Sequence, residues 1–353
     1  MAIKEELVLE FFNRIEEKVS RENIYKRELE VNILKDKAIS IIGPRKAGKT
    51  YYFYYLKKNL GGIYIDFESV EFLRIETEEA LRLISLYENY FNIKVKNIFL
   101  DEVQNLKNWE SLVRTLLSYG YNVFLSGSSS KLLSRELSTK LRGRTISYLL
   151  LPLSFREYLI FKGFVGKTFL SLSEIENIKK SLKEYLEYGG FPEVVLKEEK
   201  EKILKEYLDL AFFKDFVERH KIKSIEVARI IFDYLIQNFS KEISITKIQN
   251  FIENTLGIRT RTTIYSYLDK MLDTSFIFSV EKYSKGFYER KKSPKKVYLC
   301  DIGLTKVFRF SEDTGRRLEN IVFLELLRKT NKNPLLGVYY FKDYQQREVD
   351  FLV

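Results

Sequence analysis

Gly43-Pro44-Arg45-Lys46-Ala47-Gly48-Lys49-Thr50 have the types and spacing needed to hold a chain of phosphates. They match G-x-x-x-x-G-K-[ST] at every fixed position, with an apolar run, 38–42, before them and a helix-like stretch, 51–58, after. The two glycines let the backbone wrap so that successive N–H groups converge on phosphate oxygens. A helix that begins at the anion adds its positive dipole end. Lys49 has the reach for β- and γ-phosphates, and the Thr50 hydroxyl suits Mg²⁺. Tyr51 follows directly and is counted with the loop as a nucleotide-binding residue.

A partner motif should lie on a second strand. Asn97-Ile98-Phe99-Leu100-Asp101-Glu102 is a short apolar run ending in two carboxylates. Asp101 is the expected second holder of Mg²⁺, and Glu102 the group that polarises the attacking water. A further run, Asn122-Val123-Phe124-Leu125, leads into Ser126-Gly127-Ser128-Ser129-Ser130. Ser126 and Ser128 are candidates for sensing the γ-phosphate; a small-residue turn and helix cap is the alternative. Arg135, Arg142 and Arg144 read either as residues facing the nucleotide of a neighbouring subunit or as solvated helix-end charges. Gly166-Lys167-Thr168 echoes the loop but lacks the earlier glycine, and is set aside.

The elements that must position these residues follow in order. Residues 2–19 form an amphipathic helix, and 25–31 a lead-in strand or turn. Strands are expected at 38–42, 63–67, 97–101, 122–125 and 145–151, alternating with helices at 51–58, 72–91 and 109–117. That alternation gives an α/β fold, a doubly wound parallel sheet with its ligand at the carboxyl ends of the strands. The chain has 353 residues and 45% hydrophobic content, enough for two or three domains. No apolar stretch reaches membrane-spanning length, the start lacks a signal-peptide core, and Cys300 is the single cysteine. Disulfide scaffolds and cysteine-based zinc clusters are thereby excluded, and a cytoplasmic protein without membrane contact is expected. Sixty basic residues against 49 acidic ones give a net charge of +11, which suits a polyanionic partner without identifying it.

Four parts are expected: an ATPase core at 1–153, a helical lid at 154–223, a winged helix at 224–300, and a small α/β piece at 301–353. Within the lid, Gly189-Gly190-Phe191-Pro192-Glu193 reads as a tight turn between helices, and His220 as an exposed helix-end residue. Helices at 225–239, 245–252 and 260–271, then strands at 276–283 and 296–299, make the winged-helix pattern. Arg259 and Arg261 lie on its recognition helix. Lys282, Lys285, Arg290, Lys291, Lys292, Lys295 and Lys296 lie in its hairpin, with Lys291 and Lys292 the candidate contacts to double-stranded DNA. Docking of a protein partner is the alternative. The last stretch, with a helix at 319–329 and strands at 338–341 and 348–353, stops as though cut from a longer protein.

The chain resembles the AAA+-type ATPases of archaea and bacteria that carry a C-terminal domain of uncharacterised function, a family similar to the signal-transducing ATPases with numerous domains. The resemblance rests on the 43–50 loop, Leu100-Asp101-Glu102-Val103-Gln104, Ser126-Gly127-Ser128-Ser129, and Gly143-Arg144 followed by Leu151-Pro152-Leu153-Ser154-Phe155-Arg156-Glu157. The Gly189–Glu193 turn and Glu348-Val349-Asp350-Phe351 complete it. It implies an ATPase core, a lid, a winged helix and a terminal domain resembling the PD-(D/E)XK nuclease fold, with Glu319 and Asp350 at acidic positions. The (D/E)-x-K pair of that pattern should follow Asp350, where this sequence has ended.

The sequence therefore predicts a Mg²⁺-dependent ATP hydrolase that couples nucleotide state to rearrangement of its domains, DNA or a partner. One rival is a slow-turnover ATP/ADP switch acting through protein partners; another is a DNA-end nuclease.

Overall fold

The computed structural model describes residues 5–73, 75–127, 141–164, 166, 169–259, 261–308 and 313–353. Two compact units divide the chain: Met1–Gly43 with Gly48–Leu150, and Pro44–Ala47 with Leu151–Val353.

The first unit opens with helix α1 (Glu5–Arg21), whose Val8, Phe11, Phe12, Ile15 and Val19 fall on one buried stripe. Strand β1 (Ala38–Ile42) is buried along its whole length and runs into the loop, and α2 (Lys49–Leu60) follows. The chain continues through β2 (Ile63–Asp66), α3 (Thr77–Phe91), β3 (Asn97–Asp101), α4 (Trp109–Ser118), β4 (Asn122–Gly127) and β5 (Thr145–Leu149). The strands form one parallel sheet in the order β2-β3-β4-β1-β5. Helices cover both faces of such a sheet, which is why β1 and β3 read as continuous apolar runs rather than alternating ones. Phe99, Phe124 and Phe53 pack ring on ring between β3, β4 and α2.

Register decides where the chemistry sits. Asp66 lies opposite Asp101, and Ile41 opposite Ser126, so the carboxyl ends of β1, β2, β3 and β4 come level. Two expectations shift. Helix α3 starts at Thr77 rather than 72, because Glu76 and Glu79 form a capping box there. Residues 25–31 join no strand; Leu29 is tied instead through its carbonyl, which accepts the Tyr52 hydroxyl at 3.0 Å.

The second unit begins with helices α5 (Phe155–Phe161), α6 (Leu172–Tyr188), α7 (Pro192–Leu196) and α8 (Lys200–Leu210), the last continuing as a π-helical segment, Ala211–Glu218. His220, just beyond, is half-buried near Phe216 rather than exposed. Next come α9 (Ile225–Gln237), β6 (Lys241–Glu242), α10 (Ile245–Leu256), α11 (Arg261–Leu272), β7 (Ile277–Lys282), α12 (Phe287–Lys292) and β8 (Lys296–Leu299). A 3₁₀ segment (Ile302–Phe308), α13 (Thr314–Thr330), β9 (Tyr339–Lys342) and β10 (Glu348–Leu352) complete it. Its sheet has the order β10-β9-β7-β8-β6, with β7 and β9 parallel, so it runs continuously past residue 300.

The Gly-Gly turn closes around a carboxyl group. Gly190 N donates to Asp301 Oδ2 at 2.6 Å and Gly303 N to Oδ1 at 2.8 Å. Gly189 has φ 75°, and a Cβ there would lie 1.6 Å from Asp301 Oδ1. Only glycine fits that position.

Candidate nucleotide-binding site

The loop leaves β1 at Gly43, whose φ is 150° and whose added Cβ would lie 2.1 Å from the Leu150 carbonyl oxygen. A side chain is thus excluded on both conformational and steric grounds. Lys46 and Gly48 also take positive φ, and Gly48 caps α2 in the left-handed region. Lys49 is buried, and its ammonium donates to the Gly43 carbonyl at 3.1 Å, across the loop it belongs to. Thr50 begins the same helix and donates to Asp101 Oδ2 at 2.7 Å. That one bond joins the two motifs recognised separately in the sequence.

Asp101 is buried at the end of β3 among hydroxyl groups. Tyr64 donates to Oδ2 at 2.7 Å, and Ser126 donates to Oδ1. Burial, and next the Glu102 charge, raise the Asp101 carboxyl above its usual range, against the three hydroxyl bonds that lower it. Its neighbour across the register, Asp66, is pushed up to about 6, chiefly by burial. Glu102 takes the left-handed conformation with φ 47°, rare for a residue with a side chain. Its N–H points at Ser126 Oγ, 3.3 Å away, and its carboxylate accepts from the Gln104 amide.

The remaining candidates separate. Pro44–Ala47 group with the second unit. There Arg45 Nε lies 3.5 Å from Asp215 Oδ1, which also holds Arg219 at 3.3 Å, and Lys46 Nζ lies 3.7 Å from Glu193 Oε2. Tyr51 is half-exposed with the Lys18 ammonium over its ring; burial and then Glu22 push its hydroxyl up to about 12. Arg142 and Arg144 are exposed at the turn before β5. Ser128 and Arg135 lie outside the described residues, as does most of the Gly166-Lys167-Thr168 echo.

An AAA domain is the family whose description matches residues 35–159, and a domain of unknown function (DUF8612) matches 179–313. The uncharacterised protein MJ1544 of Methanocaldococcus jannaschii is 38% identical over 340 residues, covering 94% of this chain and 75% of that protein. The chain belongs to the same family as this protein, and its residues 35–159 match an AAA domain of the P-loop type. An uncharacterised protein of Haemophilus influenzae is 30% identical over 330 residues, covering 88% of this chain and 79% of its own length. Among solved structures, the Walker-type ATPase paby2304 of Pyrococcus abyssi aligns over 85% of this chain and 95% of its own, at 14% identity and a TM-score of 0.46.

Two residues of the candidate site, Tyr64 and Gln104, carried no signal in the sequence. Tyr64 sits mid-strand in a run buried on both faces, where no alternation marks which side chain turns toward Asp101. Gln104 stood in the quoted Asp101-Glu102-Val103-Gln104 stretch, but nothing in its type singled it out.

The positions implied for a nuclease-like domain meet elsewhere. Lys296, its side chain 4% exposed, reaches Glu319 Oε1 at 3.0 Å, Asp350 Oδ1 at 2.9 Å, and Glu348. Tyr298 donates to Glu319 at 2.7 Å. Burial disfavours the Lys296 charge, but the three carboxylates together hold it above the ordinary lysine value. Among the described residues no acidic cluster is arranged to hold a metal ion, and here the Lys296 ammonium bridges the three carboxylates. The charged hairpin also differs from its expectation. It contains α12, and Arg290, Lys291 and Lys295 all converge on Glu281. Arg259 pairs with Glu253 at 3.3 Å.

Proposed function

We propose that this chain binds ATP at the 43–50 loop and hydrolyses it with Mg²⁺. The observation that carries this reading is the Thr50–Asp101 hydrogen bond, which brings a hydroxyl and a carboxylate to one point. Both are hard oxygen donors of the kind Mg²⁺ takes. Thr50 and Asp101 would hold the ion, which would supply positive charge to offset that of the phosphates. Lys49 exchanges its bond to the Gly43 carbonyl for phosphate oxygens, so the ammonium that closes the loop becomes the group that grips the substrate. Glu102 orients the attacking water and accepts its proton, with its backbone fixed by Ser126. Ser126 and Tyr64 hold Asp101 in position; Ser126 acts in this reading through the carboxylate. The same reading extends to coupling of nucleotide state to rearrangement of domains, DNA or a partner, and draws on the grouping of residues 44–47 with the second unit. A cytoplasmic location is supported by a single, buried, unbridged cysteine, and no described helix is long and apolar enough to cross a membrane.

The decisive measurement is nucleotide binding and phosphate release by wild type and Lys49→Ala. Loss of the ammonium should reduce turnover by about 10²–10³, comparable to removing one transition-state donor. Wild-type affinity and turnover in that variant would overturn the assignment.

A second reading, the slow ATP/ADP switch, draws on the Gln104 bond to Glu102. An amide bound to that carboxylate competes with water for it. If Gln104 restrains Glu102, Gln104→Ala speeds hydrolysis; if it aims Glu102, the same change slows it.

A further inference from the structure

In the second unit, an open groove of about 1040 Å³ runs between the β6–α10 connection, one face of α11 along its length, and the end of α12 with the Ser293–Lys296 stretch. Four of the seven basic residues that the sequence assigns to the hairpin have acidic partners, with Arg290, Lys291 and Lys295 sharing one carboxylate, Glu281. Lys291 and Lys295 face Glu281, Lys296 sits among its three carboxylates, and Lys342 holds Glu242 at 2.9 Å. Four other lining cations, Lys241, Lys247, Arg261 and Lys292, are exposed and have no ion-pair partner among the described residues. Lys292 lies over the Tyr288 ring, which leaves its charge uncompensated. Against them the lining holds one carboxylate without such a partner, Asp269. The groove thus carries a surplus of about three positive charges, by electrostatic bookkeeping of unpaired groups alone. Tyr265, 49% exposed, stands one turn beyond Arg261 on the same face of α11.

We propose that this groove binds the phosphodiester backbone of double-stranded DNA, with Lys241, Lys247, Arg261 and Lys292 as its phosphate contacts. Ammonium groups closed onto their own carboxylates release no counterions when DNA arrives, whereas unpaired ones do. Two of the four, Lys241 and Lys247, lie on the β6–α10 side, away from the hairpin that the sequence pointed to. Tyr265 adds an aromatic hydroxyl of the kind that contacts phosphate and sugar. Within the lining, Asp269 disfavours close approach of phosphate at the far end of α11, which biases contact toward Arg261. The inference is independent of ATP hydrolysis.

The test is fluorescence anisotropy of a labelled duplex against full-length protein without nucleotide, titrated between about 50 and 200 mM salt. With four contacts the slope of log K against log salt is about −3.6, a loss of about 150-fold in affinity over that range. Lys241→Gln with Lys247→Gln should reduce the slope to about −1.8 and the loss to about 12-fold. Lys291→Gln, whose ammonium is held by Glu281, should leave the slope within about 0.3 of wild type. All three substituted side chains are exposed, and thermal melts verify that each variant keeps its fold. Absence of duplex binding at 50 mM salt overturns the proposal. So does a double-variant slope equal to that of wild type, or a loss at Lys291 matching that of the double variant. Nucleotide binding measured on the same samples separates this outcome from failure of the ATPase reading.

Discussion

Two carboxylate clusters in this protein are held by opposite means. At the end of β3, Asp101 is surrounded by hydroxyl groups from Thr50, Tyr64 and Ser126, which are neutral donors. On the second sheet, Glu319, Glu348 and Asp350 close around the Lys296 ammonium. Hydroxyl groups fix a carboxylate's position without cancelling its charge, and burial then works against that charge and raises the Asp101 carboxyl. A site of that kind gains most from an added cation. An ammonium fixes position and cancels charge together, so the second cluster is complete within the chain. Similar carboxylate sets can therefore stand without a cation in one place and be neutralised by one in another, and the nearest basic side chain decides which.

The largest effect that would test this contrast lies beside Asp101. Glu102→Gln keeps the side chain's shape and its bond partner Gln104 but removes the base. Turnover should fall by about 10²–10⁴, the usual range for a general base, while ATP stays bound. Steady-state phosphate release and retained nucleotide measure the two halves. Unchanged turnover would make Glu102 a strand-end charge and reduce the first cluster to a structural one as well.

Next in size is the clamp itself. Lys296→Met leaves three carboxylates facing one another with Lys342 as the nearby remaining cation, 3.9 Å from Glu348. Removing one partner from a fully buried set costs about 3–5 kcal/mol, and the 55% exposure of the Asp350 side chain puts the expected loss near the lower end, about 3 kcal/mol. Asp101→Asn should behave differently. Its partners are neutral and burial already works against its charge, so unfolding free energy should change by less than about 1 kcal/mol. Mg²⁺-dependent nucleotide affinity should nevertheless fall. Denaturant titration of both variants would break the comparison if the two losses were equal.

The first cluster was legible in sequence because its pieces are local. A glycine-bounded loop between an apolar strand and a helix, and a strand ending in Asp-Glu, each announce themselves within ten residues. The parallel sheet and most helix positions followed from periodicity for the same reason. What stayed hidden depends on register between distant segments. Lys296 counted as one wing charge among seven until β8, α13 and β10 brought it to acids as many as 54 residues away. Glu281, on β7, drew in three more of those charges, and no pattern in 282–296 foretold that. The Gly189-Gly190 turn was legible as a turn, but the reason for its glycines, the Asp301 carboxyl more than a hundred residues on, was not.

Asp301 supplies a third case for the comparison, a carboxyl held by backbone N–H groups rather than by hydroxyls or an ammonium. Burial pushes it up to about 7, against the bonds from Gly190 and Gly303 and the Arg328 charge, which lower it. The unfolded chain titrates this group near 3.9, so between those values the folded protein binds the extra proton. Stability contributed by the protonated group is therefore fully present below about pH 4 and is lost as pH rises toward and through 7. Near full protonation difference the slope is about −1.4 kcal/mol per pH unit, which amounts to about 2 kcal/mol between pH 5 and 6.5. Asp301→Asn keeps an oxygen to accept one of the two N–H bonds and cannot ionise. Urea titrations at pH 5, 5.75 and 6.5 should show the wild-type free energy falling relative to the variant by that amount. A constant difference between the two proteins across this range would mean that the two N–H donors suffice to keep Asp301 ionised in the fold.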